Sequence, residues 1–295
     1  QLARKLNDTS TATNWESTAA SMDDKIKGFD SGGTIQDSDR QWDCSVIVGT
    51  LYGGTPDKFQ QNAPEMFPPS NKDVLNTMSQ IKSYWDTTYA INKEDDGNNI
   101  PGTLIGRYAD DHYPGCNSNG GSKGHAWILC SNALADVYYR NGLYLHENKA
   151  NAKELLTPDH IRVYADLFEK DMPNASKLIR DYAQQWQDSL DNGYDIDYSY
   201  IMGTIASMAA TQGDNQLTRV AYHVNKSCSD GPHMSEQICE NGSGSGGGLE
   251  VGAHDLTWSY GTVLSAMYYR DATVDIGIKP WDESIAMRYR KSKLE

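Results

Sequence analysis

One carboxylate in this chain stands where it could do acid–base work. Glu236 lies in Met234-Ser235-Glu236-Gln237, just after the Gly231-Pro232 turn signal, with Cys228 and Cys239 on either side. A disulfide between Cys228 and Cys239 closes a short loop and holds the carboxylate still. Downstream, the glycine run from Gly242 to Gly248 leads into Asp255-Leu256-Thr257-Trp258-Ser259-Tyr260. Asp255 is placed to cap a helix with Leu256, Tyr260, Val263, Leu264 and Met267 on one face. A loop-borne acid facing a helix start lined by Trp258 and Tyr260 suits a sugar, because such rings stack on an apolar face and still hydrogen-bond. The competing reading is a decorated surface loop.

A second stretch, residues 106–140, offers Arg107 with Asp110 and Asp111 on a glycine-rich loop. A guanidinium beside two carboxylates is ordinarily a surface ion-pair cluster, and in a cleft the same groups grip hydroxyls bidentately. Residues 93–99 form an acidic turn without the spacing or closing Glu of a calcium loop, so no metal is expected there. The seven histidines do not pair at metal-ligand spacing, and there is no Gly-x-Ser-x-Gly elbow, His-Glu-x-x-His or phosphate-binding Gly-x-x-x-x-Gly-Lys. No cofactor is expected.

Composition narrows the field further. With 38% hydrophobic and 22% charged residues, the 295-residue chain can bury a sizeable core. A net charge of −14 excludes a phosphate-tracking surface, so nucleic acid is not the partner. No apolar run reaches the ~18 residues of a membrane span. Sequons at Asn7, Asn174, Asn225 and Asn241 are candidate glycosylation sites, and with five cysteines they favour a secreted, lysosomal or vacuolar setting. Five is odd: Cys228 and Cys239 are the expected pair, and among Cys44, Cys116 and Cys130 at least one has no partner in this chain; otherwise all five are reduced and buried. The 18 Tyr and 7 Trp against 4 Phe give most rings a polar handle, suited to a carbohydrate cleft or to a wet helical core.

The elements that must position these groups read as helices. Trp15, Ala19, Met22, Ile26 and Phe29 share a face, and the short β-branched run 43–51 is read as helix from its neighbours. Ser70 opens a capped helix with Val74, Met78, Ile81 and Trp85 inward. Another helix begins near Gly124, and Thr157-Pro158 caps one carrying Ile161, Tyr164, Leu167 and Phe168. Leu178, Ile179, Tyr182, Trp186 and Leu190 form the next, closed by Gly193. Tyr200–Ala210 and Leu217–Val224 follow as two helices in tandem. No strand is expected, and helices in pairs imply helix-on-helix packing within one domain.

Four segments together resemble one family. Gly106-Arg107-Tyr108 with Asp111, Ala126-Trp127-Ile128-Leu129-Cys130, Met234-Ser235-Glu236-Gln237 and Asp255-Leu256-Thr257-Trp258-Ser259-Tyr260 are similar, in order and separation, to motifs of glycoside hydrolase family 15, the glucoamylases. The resemblance implies an all-α (α/α)6 barrel, of which residues 1–295 are the second half of a single catalytic domain. It also implies inverting release of β-glucose from non-reducing ends of α-1,4 and α-1,6 glucans. By the same resemblance Glu236 matches the general base. Gln237, Arg107, Tyr108 and Asp111 match sugar-binding positions, Trp127 an aromatic wall, and Trp258 the helix start behind the base. Gly252-Ala253-His254 stands where the family has Ser-Ala-Arg, so one hydroxyl donor to the base is missing. The family's general acid belongs to a segment preceding this chain, which makes the missing N-terminal half, as the same precursor or a cleaved chain, the expected partner besides α-glucan. The alternative is a degenerate glycan-binding or structural glycoprotein.

Overall fold

In a computed structural model of the chain, the described residues are 7–27, 33–35, 40–52, 68–113, 124–227, 233–241, 247–282 and 284. Among them the helices are α1 (Thr9–Lys27), α2 (Ser45–Tyr52), α3 (Lys72–Thr88), α4 (Ala90–Gly97), α5 (Ile128–Asn148), α6 (Ala152–Leu155), α7 (Pro158–Phe168), α8 (Pro173–Asn192), α9 (Tyr198–Ser227) and α10 (Thr257–Asp275). A single 3-10 turn joins α5 to α6. Helix α5 is the centre: α9 and α10 pack against it, α7 packs on α8, and α3 packs on α7. This all-α arrangement of paired helices is the expected class.

Local chemistry explains the helix ends. Asn71 caps α3, its side chain accepting from the N–H groups of Asp73 (2.8 Å) and Val74 (3.2 Å), one residue beyond the expected Ser70. Thr157 and Pro158 open α7 as expected, and Gly193 closes α8 in the left-handed conformation, φ +72°. Val74, Met78, Ile81, Trp85, Ile161, Leu167, Phe168, Ile179, Tyr182 and Trp186 all enter the core, whereas Leu190 is exposed. Helix α1 exists, but its Trp15 faces outward at 57% exposure; Ala12 is buried, and the side chains of Ala19, Met22, Ile26 and Phe29 lie outside the described residues.

Three expectations need correction. A three-stranded antiparallel ribbon is present, β1 (Ala126–Trp127), β2 (Gln237–Ile238) and β3 (Glu250–Val251), with Ala126 opposite Ile238 and Ile238 opposite Glu250. Helix α5 therefore starts at Ile128 and not near Gly124. The tandem helices are one continuous helix, α9. Gly213 lies between the two expected spans, and a Cβ there would lie 2.6 Å from the Tyr139 ring of α5. The glycine marks close helix packing and not a helix end.

The cysteines also pair differently. Cys44, at the start of α2, is bonded to Cys130 in α5, tying two elements 86 residues apart. Cys239 is a buried free thiol, so the Cys228–Cys239 bridge is not formed; Cys228 itself, like Cys116, lies outside the described residues. Two checks follow from this packing. Gly213→Ala should destabilise by about 1–3 kcal/mol through overpacking. Gly203→Ala on the same helix, whose nearest neighbour would be Lys149 Cδ at 4.0 Å, should be neutral or stabilising by up to about 1 kcal/mol. Urea midpoints that move the same way in both variants would contradict this account. A non-reduced, alkylated digest should show the Cys44 and Cys130 peptides linked and Cys239 alkylated; recovery of a linked Cys228–Cys239 peptide would overturn the assignment.

Candidate active site

The segment 234–236 carries the candidate base, and all of its peptide groups are satisfied. Met234 N–H donates to the Tyr260 hydroxyl (3.0 Å), which in turn donates to Asp255 (2.6 Å). Ser235 N–H donates to Glu250 Oε1 (2.9 Å), and Ser235 carbonyl accepts from Ser259 Oγ (2.8 Å). Glu236 N–H donates to Ala253 carbonyl (2.9 Å), Leu256 N–H reaches Met234 carbonyl (3.1 Å), and Ile128 N–H reaches Glu236 carbonyl (3.2 Å). The base is thereby sewn to β3, to the start of α10 and to the start of α5. Its side chain is 8% exposed.

The carboxylate has its own partners. Tyr113 donates its hydroxyl to Glu236 Oε2 (3.2 Å), and Ala253 N–H approaches the same oxygen at 3.4 Å. The negative charge of Glu236 raises the Tyr113 phenol above its ordinary range, which keeps it protonated as a donor. Gly252 closes the floor with φ +86°, and a Cβ there would lie 2.6 Å from Glu236 Oε2. The serine that the resemblance implies at this position therefore strains this backbone. Tyr113 and Ala253 supply donors in its place, and their contribution is not legible in the local sequence around Glu236.

Tyr113 also joins the base to the guanidinium clamp. Its N–H donates to Asp111 Oδ1 (3.0 Å), and its ring lies 5.9 Å from that of Trp127. Arg107 grips Asp111 with two bonds, Nε to Oδ2 (3.0 Å) and Nη2 to Oδ1 (2.7 Å). The guanidinium stands over the rings of Tyr108 (4.9 Å), Trp127 (5.0 Å) and Tyr113 (5.7 Å). Burial opposes the Arg107 charge, but the Asp111 carboxylate more than offsets it and secures the cation. Asp111 itself is wedged against Gly124, where a Cβ would meet it at 2.9 Å. The result is a charged clamp with an aromatic wall beside one oriented carboxylate, the elements needed to hold a polyol and activate a nucleophilic water.

The structure thus brings Glu236, Arg107, Tyr108, Asp111 and Trp127 together. Gln237 is adjacent but fully buried, its amide making no hydrogen bond among the described residues. Trp258 stands at the start of α10 as expected, 66% exposed. Asp255 does not cap that helix: it adopts φ +52°, the cap position falls to Leu256, and the carboxylate serves Tyr260 instead. Nor is the α10 face as expected. Ser259, Thr262, Ala266 and Thr273 are buried, while Leu264 and Met267 point outward with Tyr268. Glu250, which sequence reasoning missed, has its carboxyl raised by burial despite the Ser235 N–H and a His233 ring nitrogen 2.9 Å away. The run 93–99, expected as an acidic turn, is instead the second half of α4 and its end, and Arg219 takes its Asp95 (2.9 Å) and Asp96 (2.7 Å). Of the sequons, Asn7 and Asn174 are exposed, Asn241 is half-buried, and Asn225 lies within α9. Among the described residues, no helix is long and apolar enough to cross a membrane.

Comparison with known proteins bears on this geometry directly. The family model described as glycosyl hydrolases family 15 matches residues 1–268. Glucoamylase 1 of Rhizopus oryzae is 26% identical over 284 residues, covering 90% of this chain and 39% of its own length. Glucoamylase GLA1 of Saccharomycopsis fibuligera is 24% identical, covering 92% of this chain and 49% of its own length. A glucoamylase structure from Saccharomycopsis fibuligera superposes with a TM-score of 0.62 at 21% identity, covering 92% of this chain and 52% of that one. The chain therefore spans half or less of the curated relatives it matches, with the helical fold of an (α/α)6 barrel. The match runs through both the clamp and the base, and the chain belongs to glycosyl hydrolase family 15.

Proposed function

We propose that this chain carries the base-bearing part of an exo-acting, inverting glycoside hydrolase. In this reading it releases β-glucose from the non-reducing ends of α-1,4 and, more slowly, α-1,6 glucans such as starch, glycogen and maltooligosaccharides. The observation that supports it most is the Tyr113 bridge, which links the buried Glu236 carboxylate to the Arg107–Asp111 clamp. Glu236 removes a proton from the attacking water. Arg107 and Asp111 hold sugar hydroxyls against the Tyr108 and Trp127 rings, and Tyr113 keeps the base oriented.

The general acid comes from an N-terminal half, either of the same precursor or a cleaved partner. Two facts support this: the chain spans half or less of its relatives, and α10 exposes Trp258, Leu264, Met267, Tyr268 and Val274 along its outer side. Exposed large apolar side chains of this kind accord with a surface that another polypeptide covers. A secreted, lysosomal or vacuolar setting accords with the Cys44–Cys130 bond and with the exposed sequons at Asn7 and Asn174. The second reading, a glycan-binding protein that has lost turnover, draws on Gly252 beside the base and on the inward amide of Gln237.

Maltose hydrolysis by the complete protein separates the two. Glu236→Gln should lower kcat by about 10²–10⁴-fold, with Glu154→Gln as an exposed control near wild-type rate. Glucose first formed should be the β-anomer by proton NMR. Calorimetric binding of maltooligosaccharide without turnover would favour the second reading, and equal rates in both variants would rule out Glu236 as the base. Tyr113→Phe removes one donor to a charged acceptor and should cost about tenfold in kcat/KM. A rate equal to wild type would mean that the bridge has no catalytic role.

A further inference from the structure

Outside the clamp and the base, one buried cluster has a donor set of unusual composition. His125 Nδ1, Cys239 Sγ and a Glu240 carboxylate oxygen all lie within 4.8 Å of one another. The three residues are 1%, 6% and 6% exposed. They meet at one end of the ribbon: His125 immediately precedes β1, and Cys239 and Glu240 immediately follow its antiparallel partner β2, where Ala126 stands opposite Ile238. Sequence spacing could not show this, since His125 is more than a hundred residues from its partners. His125 Nδ1 is hydrogen-bonded to the Glu240 carboxylate, which offsets part of the cost of burying an imidazole, a thiol and a carboxylate together; a cation would serve all three.

The geometry points to a binding site for a divalent cation of the zinc class, held by His125, Cys239 and Glu240. Tetrahedral zinc with N, S and O ligands separates its donor atoms by about 3.5 Å, so the His125 and Glu240 atoms, now in direct contact, would part to admit the ion. A thiolate with an imidazole selects zinc over magnesium or calcium, which take oxygen donors. The ligand backbones are already fixed. Cys239 N–H donates to Leu249 carbonyl (2.9 Å), Cys239 carbonyl accepts from Gly248 N–H (2.9 Å), and Glu240 carbonyl accepts from Ile91 N–H (3.0 Å). Asn241 Nδ2 donates to Cys239 Sγ (3.6 Å), an outer contact that favours the thiolate.

An independent observation comes from Tyr89. Its hydroxyl is buried without a hydrogen-bond partner among the described residues, and burial together with the nearby Glu240 charge raises the phenol well above its ordinary range. On binding, the Cys239 thiol proton passes to solvent and His125 coordinates as the neutral imidazole. The ion is structural: it clasps the β1–β2 pair that carries Trp127 and follows Glu236. This proposal does not depend on the glycosidase reading, because its readouts are metal content, a spectrum and stability.

The full chain, purified without chelator and dialysed, should contain stoichiometric zinc by atomic emission. Cobalt(II) replacing it should give a near-ultraviolet thiolate-to-metal charge-transfer band, a test that needs no variant. Cys239→Ser should abolish the band and weaken zinc binding at least about 100-fold, and Glu240→Gln should weaken it while keeping the band. Chelation should lower the melting midpoint by about 5 °C or more. Substoichiometric zinc with no cobalt band would leave the cluster as a His125–Glu240 ion pair beside a thiol, and a band persisting in Cys239→Ser would assign the metal to another cysteine; either overturns the proposal.

Discussion

The site depends on one row of polar side chains along α9. The segment 100–105 crosses the interior as irregular backbone, and buried peptide groups without a ladder need partners from elsewhere. Helix α9 provides them. Gln216 accepts from Thr103 N–H (3.0 Å) and donates to the carbonyls of Thr103 (2.6 Å) and Ser131 (3.1 Å). Arg219 donates to Pro101 carbonyl (3.2 Å) and to Ile100 carbonyl, besides its two aspartates (2.9 and 2.7 Å). His223 bonds Gly248 carbonyl (2.8 Å) and Asp95 (2.7 Å), so the same row holds the strand behind the base. The fully buried Arg219 guanidinium is tolerable because two carboxylates and several carbonyls surround it.

That row fixes both halves of the site from behind. Forward of the pinned segment come Ile105, whose carbonyl accepts from Trp127 N–H (2.9 Å), and then Gly106 and Arg107. Gly106 has no space for a side chain, since a Cβ would lie 2.6 Å from the Trp85 ring. The clamp is therefore set by core packing and not by its own loop. On the other side, Gly248 leads into β3, which backs Glu236. Groups held this firmly need little reorganisation when charge develops, which is the physical basis of electrostatic catalysis.

The proposed cation site and the base share the short ribbon, and this gives the ribbon its meaning. Two-residue strands contribute little pairing energy alone. Here each strand end carries a functional group: His125 precedes β1 and Trp127 is its last residue, and Glu236 and Cys239 flank β2. Ribbon register is consequently site geometry. The exposed stripe on α10 lies beyond this frame, on the outer side of the helix whose first turn holds Ser235 through Ser259.

Helix existence and most inward faces were legible because period, caps and glycine stops are local properties: α3, α7 and α8 follow from their own residues. Glu236, Arg107 and Asp111 could be singled out for the same reason, from residue type and motif. Local signals failed where a distant partner set the outcome. Gly213 does not break α9 because Tyr139 fills the space beside it, and Leu264 and Met267 face outward because the small residues Ser259, Thr262 and Ala266 allow α10 to approach α5 closely. Cys44 finds Cys130 across 86 residues, and Cys239 settles beside His125. Sequence by itself determined a helical chain with one framed carboxylate and one arginine–aspartate clamp. Tertiary structure decided which thiols pair, which donors serve the base and why position 252 is glycine, because each depends on distances between groups far apart in the chain.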